Sequence, residues 1–261
     1  MTRRRVSLVR DGHVLSIGLD RPEKRNAADL QMLRELSLAY GELDRDPDLR
    51  VAVLHAHGDH FTAGLDLADV APAVTETGLD IVPEGGLHPW QVTGRDLTKP
   101  VVMAVRGTCL TLGVELALAS DIVIAGTSAR FGQIEVSRAI LPFGGATIRL
   151  PRRVGWGDAM RWMLTGDLFD AEEAHRIGLV QEVLDDDRVD ARALELAHRI
   201  AAQAPLAVQV TLANAHRAVR DGDAAAEAEL QPQLVRLLAS EDAAIGHQAF
   251  LDRTTAEFVG R

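Results

Sequence analysis

The chain has 261 residues, 47% of them hydrophobic and 25% charged, an ordinary globular composition with enough length to bury a sizeable core. Its 28 basic and 38 acidic side chains leave a formal charge of −10. That balance argues against broad attraction to nucleic acid or an anionic membrane, while leaving room for a small anion held by a few local cations.

The N-terminal MTRRRVSLVRDG is basic and lacks the apolar stretch of a signal peptide. In HVLSIGLD, the alternation of Leu15, Ile17 and Leu19 predicts a strand, and RPEKRN predicts a turn after it. Between 29 and 44, Leu33, Leu36, Tyr40 and Leu43 recur at three- or four-residue spacing, which predicts an amphipathic helix; it carries no basic stripe that would suit RNA. VAVLHA predicts a short, apolar strand. From 71 to 99, Pro72, Pro83 and Pro89 break any period, so this stretch reads as an excursion with a helix over 90–97.

VVMAVRG then predicts a strand, TLGVELALAS a short buried helix, and DIVIAG another strand. The run 101–126 is long enough to raise a membrane span, but Arg106, Glu115 and Asp121 interrupt it and Gly107 and Gly113 punctuate it, so it reads as interior of a soluble protein. Strand–turn–helix units recurring in this way predict a layered α/β core. From Gly144 onward the pattern is mostly helical. Asp170 and Glu173 form a candidate capping box. Further helices are expected over 187–203, 206–221, 224–240 and 241–253, with Pro232 bending or ending the third of these, and a helical appendage is expected from Pro205.

Few residues suggest chemistry. His55, His57 and His60 in HAHGDH invite a metal reading, but zinc wants a further ligand in fixed geometry and the sequence supplies no signature, so no metal is expected. Cys109 is the only cysteine; it rules out a disulfide within the chain, suits a reducing cytoplasmic setting, and reads as inert core. There is no glycine-rich phosphate loop with a lysine and no dinucleotide fingerprint. Two acids remain, Glu115 and Glu135. Leu112, Leu116 and Leu118 leave Glu115 no polar face, so it is expected to be buried, where a carboxylate needs a partner or a purpose. A helix dipole or catalysis would each supply one, and patterning alone does not choose between them.

The motifs RPEKRNA, FTAGLDL, KPVVMAVRG, GVELALASD, ARFGQIE, LPFGGATIRL and AFLDRTTAEF occur in this order across nearly the whole chain. Together they resemble the enoyl-CoA hydratase/isomerase, or crotonase, superfamily. The resemblance implies an α/β fold, a crotonase-like spiral of repeated β-β-α units over 1–204 that carries the acyl-CoA site. It implies a C-terminal helical trimerisation region over 205–261, and a homotrimer or a dimer of trimers. It also implies an acyl-CoA thioester substrate from fatty-acid metabolism, no cofactor beyond the coenzyme A of the substrate, and an enolate held by two backbone N–H groups. Matched to this sequence, those donors are Leu65 and Leu112, and the acids of a hydratase are Glu115 and Glu135. CoA contacts fall on Lys24, Arg25, Ala63, Asp66, Leu67, Phe250 and Arg253, and the acyl pocket on Trp90 and Phe143.

Two departures bear on activity. Many relatives read L-G-G-G-x-E where this chain reads Leu110-Thr-Leu-Gly-Val-Glu115, and leucine at 112 disfavours the positive φ that glycine allows. Phe143 stands where hydratases commonly have glycine, so its ring is expected either to narrow the acyl site or to turn into the core. Both glutamates favour a hydratase; a double-bond isomerase, another crotonase reaction or a weakly active acyl-CoA binder are the alternatives.

Overall fold

The computed structural model describes residues 3–76 and 78–261; Met1 and Thr2 of the basic N-terminal segment and Thr77 of the excursion lie outside them. The chain opens with an antiparallel hairpin, β1 (Val6–Asp11) and β2 (Val14–Leu19), turned at Gly12. The first strand was not among the sequence expectations, because its outer half is charged and exposed. Helix α1 (Leu30–Arg45) follows, capped by the Asp29 carboxylate, which accepts the Met32 N–H at 2.8 Å. Then come β3 (Val51–Ala56), the single turn α2 (Leu67–Val70), β4 (Val101–Val105), β5 (Thr108–Leu110), α3 (Leu112–Ala119), β6 (Ile122–Gly126) and β7 (Arg130–Gly132).

A six-stranded sheet has the order β1-β2-β3-β4-β6-β9, the last strand being Glu182–Leu184, and every pair after the hairpin is parallel. Both faces are covered. Ala52, Leu54, Met103 and Val105 point into the main core beneath α1, whereas Val51, Val53, Val102, Ala104 and Ile124 meet a small-residue stripe of Val189, Ala193, Ala197 and Ala201. That four-residue stripe belongs to α7 (Val189–Ala201), once α4 (Ala146–Val154), α5 (Trp156–Thr165) and α6 (Ala171–Arg176) have been counted. Burial on both faces explains why β3, His55 apart, and β4 are runs of apolar residues rather than alternating ones.

A second, three-stranded sheet pairs β5 with β7 and β7 with β8 (Phe169–Asp170). The chain passes from β4 to β5 at Gly107, where an added Cβ would lie 2.1 Å from the Asp59 carbonyl oxygen, so only glycine fits. It then enters α3, and the same strand–strand–helix course recurs from β6 and β7 into α4. These are the β-β-α turns expected from the resemblance.

The C-terminal helices α8 (Pro205–Asp221), α9 (Asp223–Leu238) and α10 (Glu241–Asp252) close the chain. Helix α9 runs unbroken through Pro232, so the proline does not end it. The helix expected over 90–97 does not form; that segment is turns and bends. The Asp170 carboxylate caps α6 through the Glu173 N–H at 2.9 Å, but Glu173 pairs with Arg176 instead of closing the capping box. Among the described residues no helix is long and apolar enough to cross a membrane.

Candidate active site

The FTAGLDL loop is fixed by its neighbours. Buried Asn26 donates to the carbonyls of His57 and His60 at 2.9 and 2.8 Å, and the Ala63 N–H donates to Arg25 at 2.8 Å. Ala28 donates to the Gly64 carbonyl and accepts from the Asp66 N–H, at 2.8 and 2.9 Å. In a parallel bridge of this kind the intervening residue turns its own peptide groups away, and the Leu65 N–H has no protein acceptor among the described residues.

A second free N–H lies at the start of α3. Thr111 donates to the Gly132 carbonyl at 2.8 Å and then turns the chain with φ 49° and ψ −109°. The positive φ feared for Leu112 therefore falls one residue earlier. Leu112 itself is the first helical residue, its side chain lies in the core, and its N–H precedes the first intrahelical donor and has no protein acceptor among the described residues. The two loops abut: a Cβ on Gly64 would sit 2.3 Å from the Thr111 hydroxyl oxygen. The free N–H groups of Leu65 and Leu112 leave the peptides directly after these two residues.

Glu115 lies one turn into α3 and is 3% exposed. Its Oε1 accepts the Ala146 N–H at 3.2 Å, from the first residue of α4. Gly144 leaves no room beside it: an added Cβ would be 2.4 Å from Glu115 Oε2. Glu135 is 4% exposed and begins a 3₁₀ turn, Glu135–Arg138, just after β7. Gln133, just after β7, is fully buried; with its amide assigned so that the nitrogen faces the neighbouring acceptors, it donates to the Glu135 carboxylate and to the Thr111 carbonyl, both at 3.1 Å.

Burial lifts Glu115 to about 8; the Ala146 N–H opposes the rise and the negative charge of Glu135 adds to it. Burial also lifts Glu135, to about 7, with its own backbone N–H opposing. Both carboxyls are thus lifted toward the neutral range.

The wall beside Glu115 is aromatic. Trp90, 1% exposed, donates its indole N–H to the Leu112 carbonyl at 3.4 Å and lies edge-on to Phe143, with ring centroids 6.3 Å apart. Phe143 is 42% exposed, so its ring does not turn into the core. Arg149 of α4 donates to the carbonyls of Trp90 and, at 2.8 Å, Gln91, which ties this turn to α4, whose first N–H also holds the Glu115 carboxylate.

The residues expected to grip CoA divide into two places. Lys24 and Arg25 are exposed on the turn after β2, Ala63 and Asp66 are half-buried, and Leu67 is exposed at the start of α2. Asp66 accepts Arg21 Nη1 at 2.8 Å, and that bond holds its carboxyl below the usual range. Phe250, 81% exposed, and Arg253 stand at the far end of α10, and no hydrogen bond or ion pair among the described residues joins them to the 24–67 group.

The histidines have other partners: His57 Nε2 lies 2.7 Å from the Ser7 hydroxyl and His60 Nδ1 accepts the Thr108 N–H at 3.2 Å. Among the described residues no group of three or more His, Cys, Asp or Glu is placed to hold a metal. Cys109 is fully buried, and burial pushes its thiol above the ordinary range.

The sequence profile described as enoyl-CoA hydratase/isomerase matches residues 10–261. The chain belongs to the enoyl-CoA hydratase/isomerase family. Among curated members of that family, enoyl-CoA hydratase EchA19 of Mycobacterium tuberculosis is 35% identical over 260 residues, covering 97% of this chain and 95% of that protein. The 2,3-dehydroadipyl-CoA hydratase of Escherichia coli is 36% identical, covering 97% of each. Among solved structures, a probable enoyl-CoA hydratase/isomerase from Mycobacterium abscessus superposes with a TM-score of 0.96 at 60% identity, over 98% of this chain and 99% of that one. The fold is the crotonase-like α/β spiral. Three residues of the site were missed in the sequence: Gln133, Arg149 and, for its own conformation and side chain, Thr111.

Proposed function

We propose that this protein is an enoyl-CoA hydratase, which adds water reversibly and syn across the double bond of a trans-2-enoyl-CoA to give a 3-hydroxyacyl-CoA. The observation that carries this reading is the pairing of two buried carboxyls, both lifted toward neutrality, with two backbone N–H groups that have no protein acceptor among the described residues. Curated relatives named as hydratases support it.

In this reading the thioester oxygen accepts the N–H groups of Leu65 and Leu112. Negative charge builds on that oxygen as water attacks the β-carbon, so preorganised donors favour the enolate over the substrate; loss of one such donor typically costs about 3–4 kcal/mol. Glu115 takes a proton from the attacking water, and Glu135 delivers a proton to the α-carbon as the enolate collapses. One proton is shared by the pair. Hydration starts from the arrangement with Glu115 ionised and the proton on Glu135.

Trp90 and Phe143 would wall the acyl group, which their contact beside Glu115 supports. CoA would lie along Lys24, Arg25, Ala63, Asp66 and Leu67, with Phe250 and Arg253 supplied by a neighbouring copy in a trimer or dimer of trimers. The exposure of Phe250 and Arg253, unbonded to that group among the described residues, and the exposed Leu230, Leu234 and Leu238 on α9, support this assembly and the division at residue 205. The reaction draws on carboxyls and backbone N–H groups, and coenzyme A enters as part of the substrate. The lone buried thiol suits a cytoplasmic setting.

The test is a product panel. The protein is incubated with 2-enoyl-CoAs of short, medium and long chain and with a 3-enoyl-CoA, and products are identified by mass and retention. Gain of one water on a 2-enoyl-CoA is expected; a shifted double bond at unchanged mass would assign an isomerase instead, and tight binding without product a binding protein.

A further inference from the structure

Among the buried acids, Glu115 and Glu135 form the site and Asp29 caps α1, whereas Asp242, 3% exposed in the first turn of α10, does neither. The capping position of that helix is already filled, since the Ser240 hydroxyl accepts the Ala243 N–H at 3.1 Å. The two oxygens of Asp242 instead accept the N–H groups of Val259 at 2.7 Å and Gly260 at 3.0 Å, and its own N–H donates to the Arg261 carbonyl at 3.1 Å. A buried carboxyl is costly unless its hydrogen bonds are made, and here the C-terminal tail makes them.

That tail is the return arm of a hairpin. Helix α10 gives way at Arg253, which takes φ 55° and ψ 40°, where glycine is the usual residue, and the Thr254 N–H closes the turn on the Ala249 carbonyl at 3.0 Å. The chain then runs back along the helix. The Phe258 ring lies over Gly246, where an added Cβ would sit 3.4 Å from it, and residues 259–261 reach Asp242. Arg50 anchors the tail to the body, donating to the carbonyls of Phe258 at 2.7 Å and of Ala201, the last residue of α7, at 2.9 Å. Phe250 and Arg253 therefore stand at the exposed tip of the hairpin, and Asp242 clasps its base. A left-handed turn at an arginine persists only where its surroundings hold it, and the clasp closes the loop that holds this one.

We propose that Asp242 is a positioning residue for coenzyme A: by clasping the tail it fixes the hairpin tip, so that Phe250 and Arg253 meet the nucleotide already ordered. This rests on the reading that those two side chains hold CoA. A tip ordered before binding loses less freedom when the ligand arrives. The two catalytic acids and the free N–H groups of Leu65 and Leu112 lie on other elements, so the clasp acts on binding and not on turnover.

The test reads three quantities on the full chain: Kd for a saturated acyl-CoA by calorimetry, kcat for hydration, and hydrogen exchange of the tip amides. Asp242→Ala should raise Kd about fivefold with kcat within about 1.5-fold of wild type, and should speed exchange of the Thr254 N–H about tenfold. Asp242→Asn, which keeps one acceptor, should fall between. Gly260→Ala loosens the clasp from its other side, because that backbone stands at φ 84° and the new Cβ would come within 3.1 Å of Pro205 Cγ; it should reproduce both effects with the carboxyl intact. In a background carrying Phe250→Ala and Arg253→Ala, Asp242→Ala should change Kd by less than about 1.5-fold, since nothing is left to position, whereas a general loss of stability would act equally in both backgrounds. An Asp242→Ala protein with wild-type Kd, an equal rise in both backgrounds, or unaltered exchange at the tip would each overturn the proposal. A tip-pair background that itself keeps wild-type Kd would place CoA elsewhere: the CoA half of the proposal would fall with the reading beneath it, while faster exchange in Asp242→Ala would still uphold the clasp.

Discussion

Glu115, Glu135 and the free N–H groups of Leu65 and Leu112 lie inside the chain, braced by Ala146, Gln133, Gly64 and Thr111. Lys24, Arg25, Phe250 and Arg253 are exposed, on two separate elements, with no hydrogen bond or ion pair between the two among the described residues. The difference follows from what each half has to do. Stabilising a developing charge and shifting a carboxyl by several pH units both need a dry, preorganised setting, which one chain can build only in its core. Gripping a nucleotide's phosphates needs charge at the surface, where each contact is weak, salt-sensitive and open to sharing between copies of the chain.

Substitutions should break the two halves unequally. The largest effect is expected for Glu115→Gln, which should lower kcat roughly a thousandfold with little change in acyl-CoA affinity, read by steady-state kinetics and calorimetry. Gly64→Ala comes next. Its Cβ would press on the Thr111 hydroxyl at 2.3 Å from a backbone at φ 102°, so a loss of about 2 kcal/mol in unfolding free energy is expected, with a kcat loss from the displaced Leu65 N–H. Denaturant melts and kinetics would read these together.

The interior half should also answer to pH. With the pair lifted to about 8 and about 7 in the free protein, kcat/KM should peak between those values, falling below as both carboxyls gain protons and above as both lose them. Stability should carry the same signature with a definite sign. A carboxyl raised on folding makes the folded state bind more protons than the unfolded one, so stability is greatest below the unfolded value of 4.5 and is lost as pH climbs toward about 8. Glu115→Gln should therefore gain on wild type in thermal melts as pH rises through that window. The smallest effects belong to the exposed half: Lys24→Ala and Arg253→Ala should each raise KM about threefold at low salt, less at high salt, with kcat unchanged.

The sequence carried most of the fold. HVLSIGLD, VAVLHA and VVMAVRG became strands and the 29–44 pattern became α1 because burial of those residues is what the structure does with them. The two-residue β8 and the half-exposed β1 were not legible, since short or edge strands are defined by their partners. Glu115 and Glu135 were legible as chemistry only through their register in a familiar series of motifs. Gln133, Arg149 and the left-handed turn at Thr111 were not, because a buried amide, a carbonyl clamp and a strained φ leave no periodic trace in sequence. The helix expected over 90–97 failed for a related reason: Gln91 takes φ 51°, and its side chain bonds to Leu97 N–H and the Ala119 carbonyl instead of leaving the backbone free to coil.

Glu135→Gln tests the central claim most directly, with turnover of a trans-2-enoyl-CoA and equilibrium binding of the matching saturated acyl-CoA measured on the same preparation. Hydration should fall roughly a thousandfold while the dissociation constant stays within about twofold of wild type. Hydration that survives the substitution would contradict the assignment of the α-carbon proton to Glu135, and with it the paired-carboxyl account.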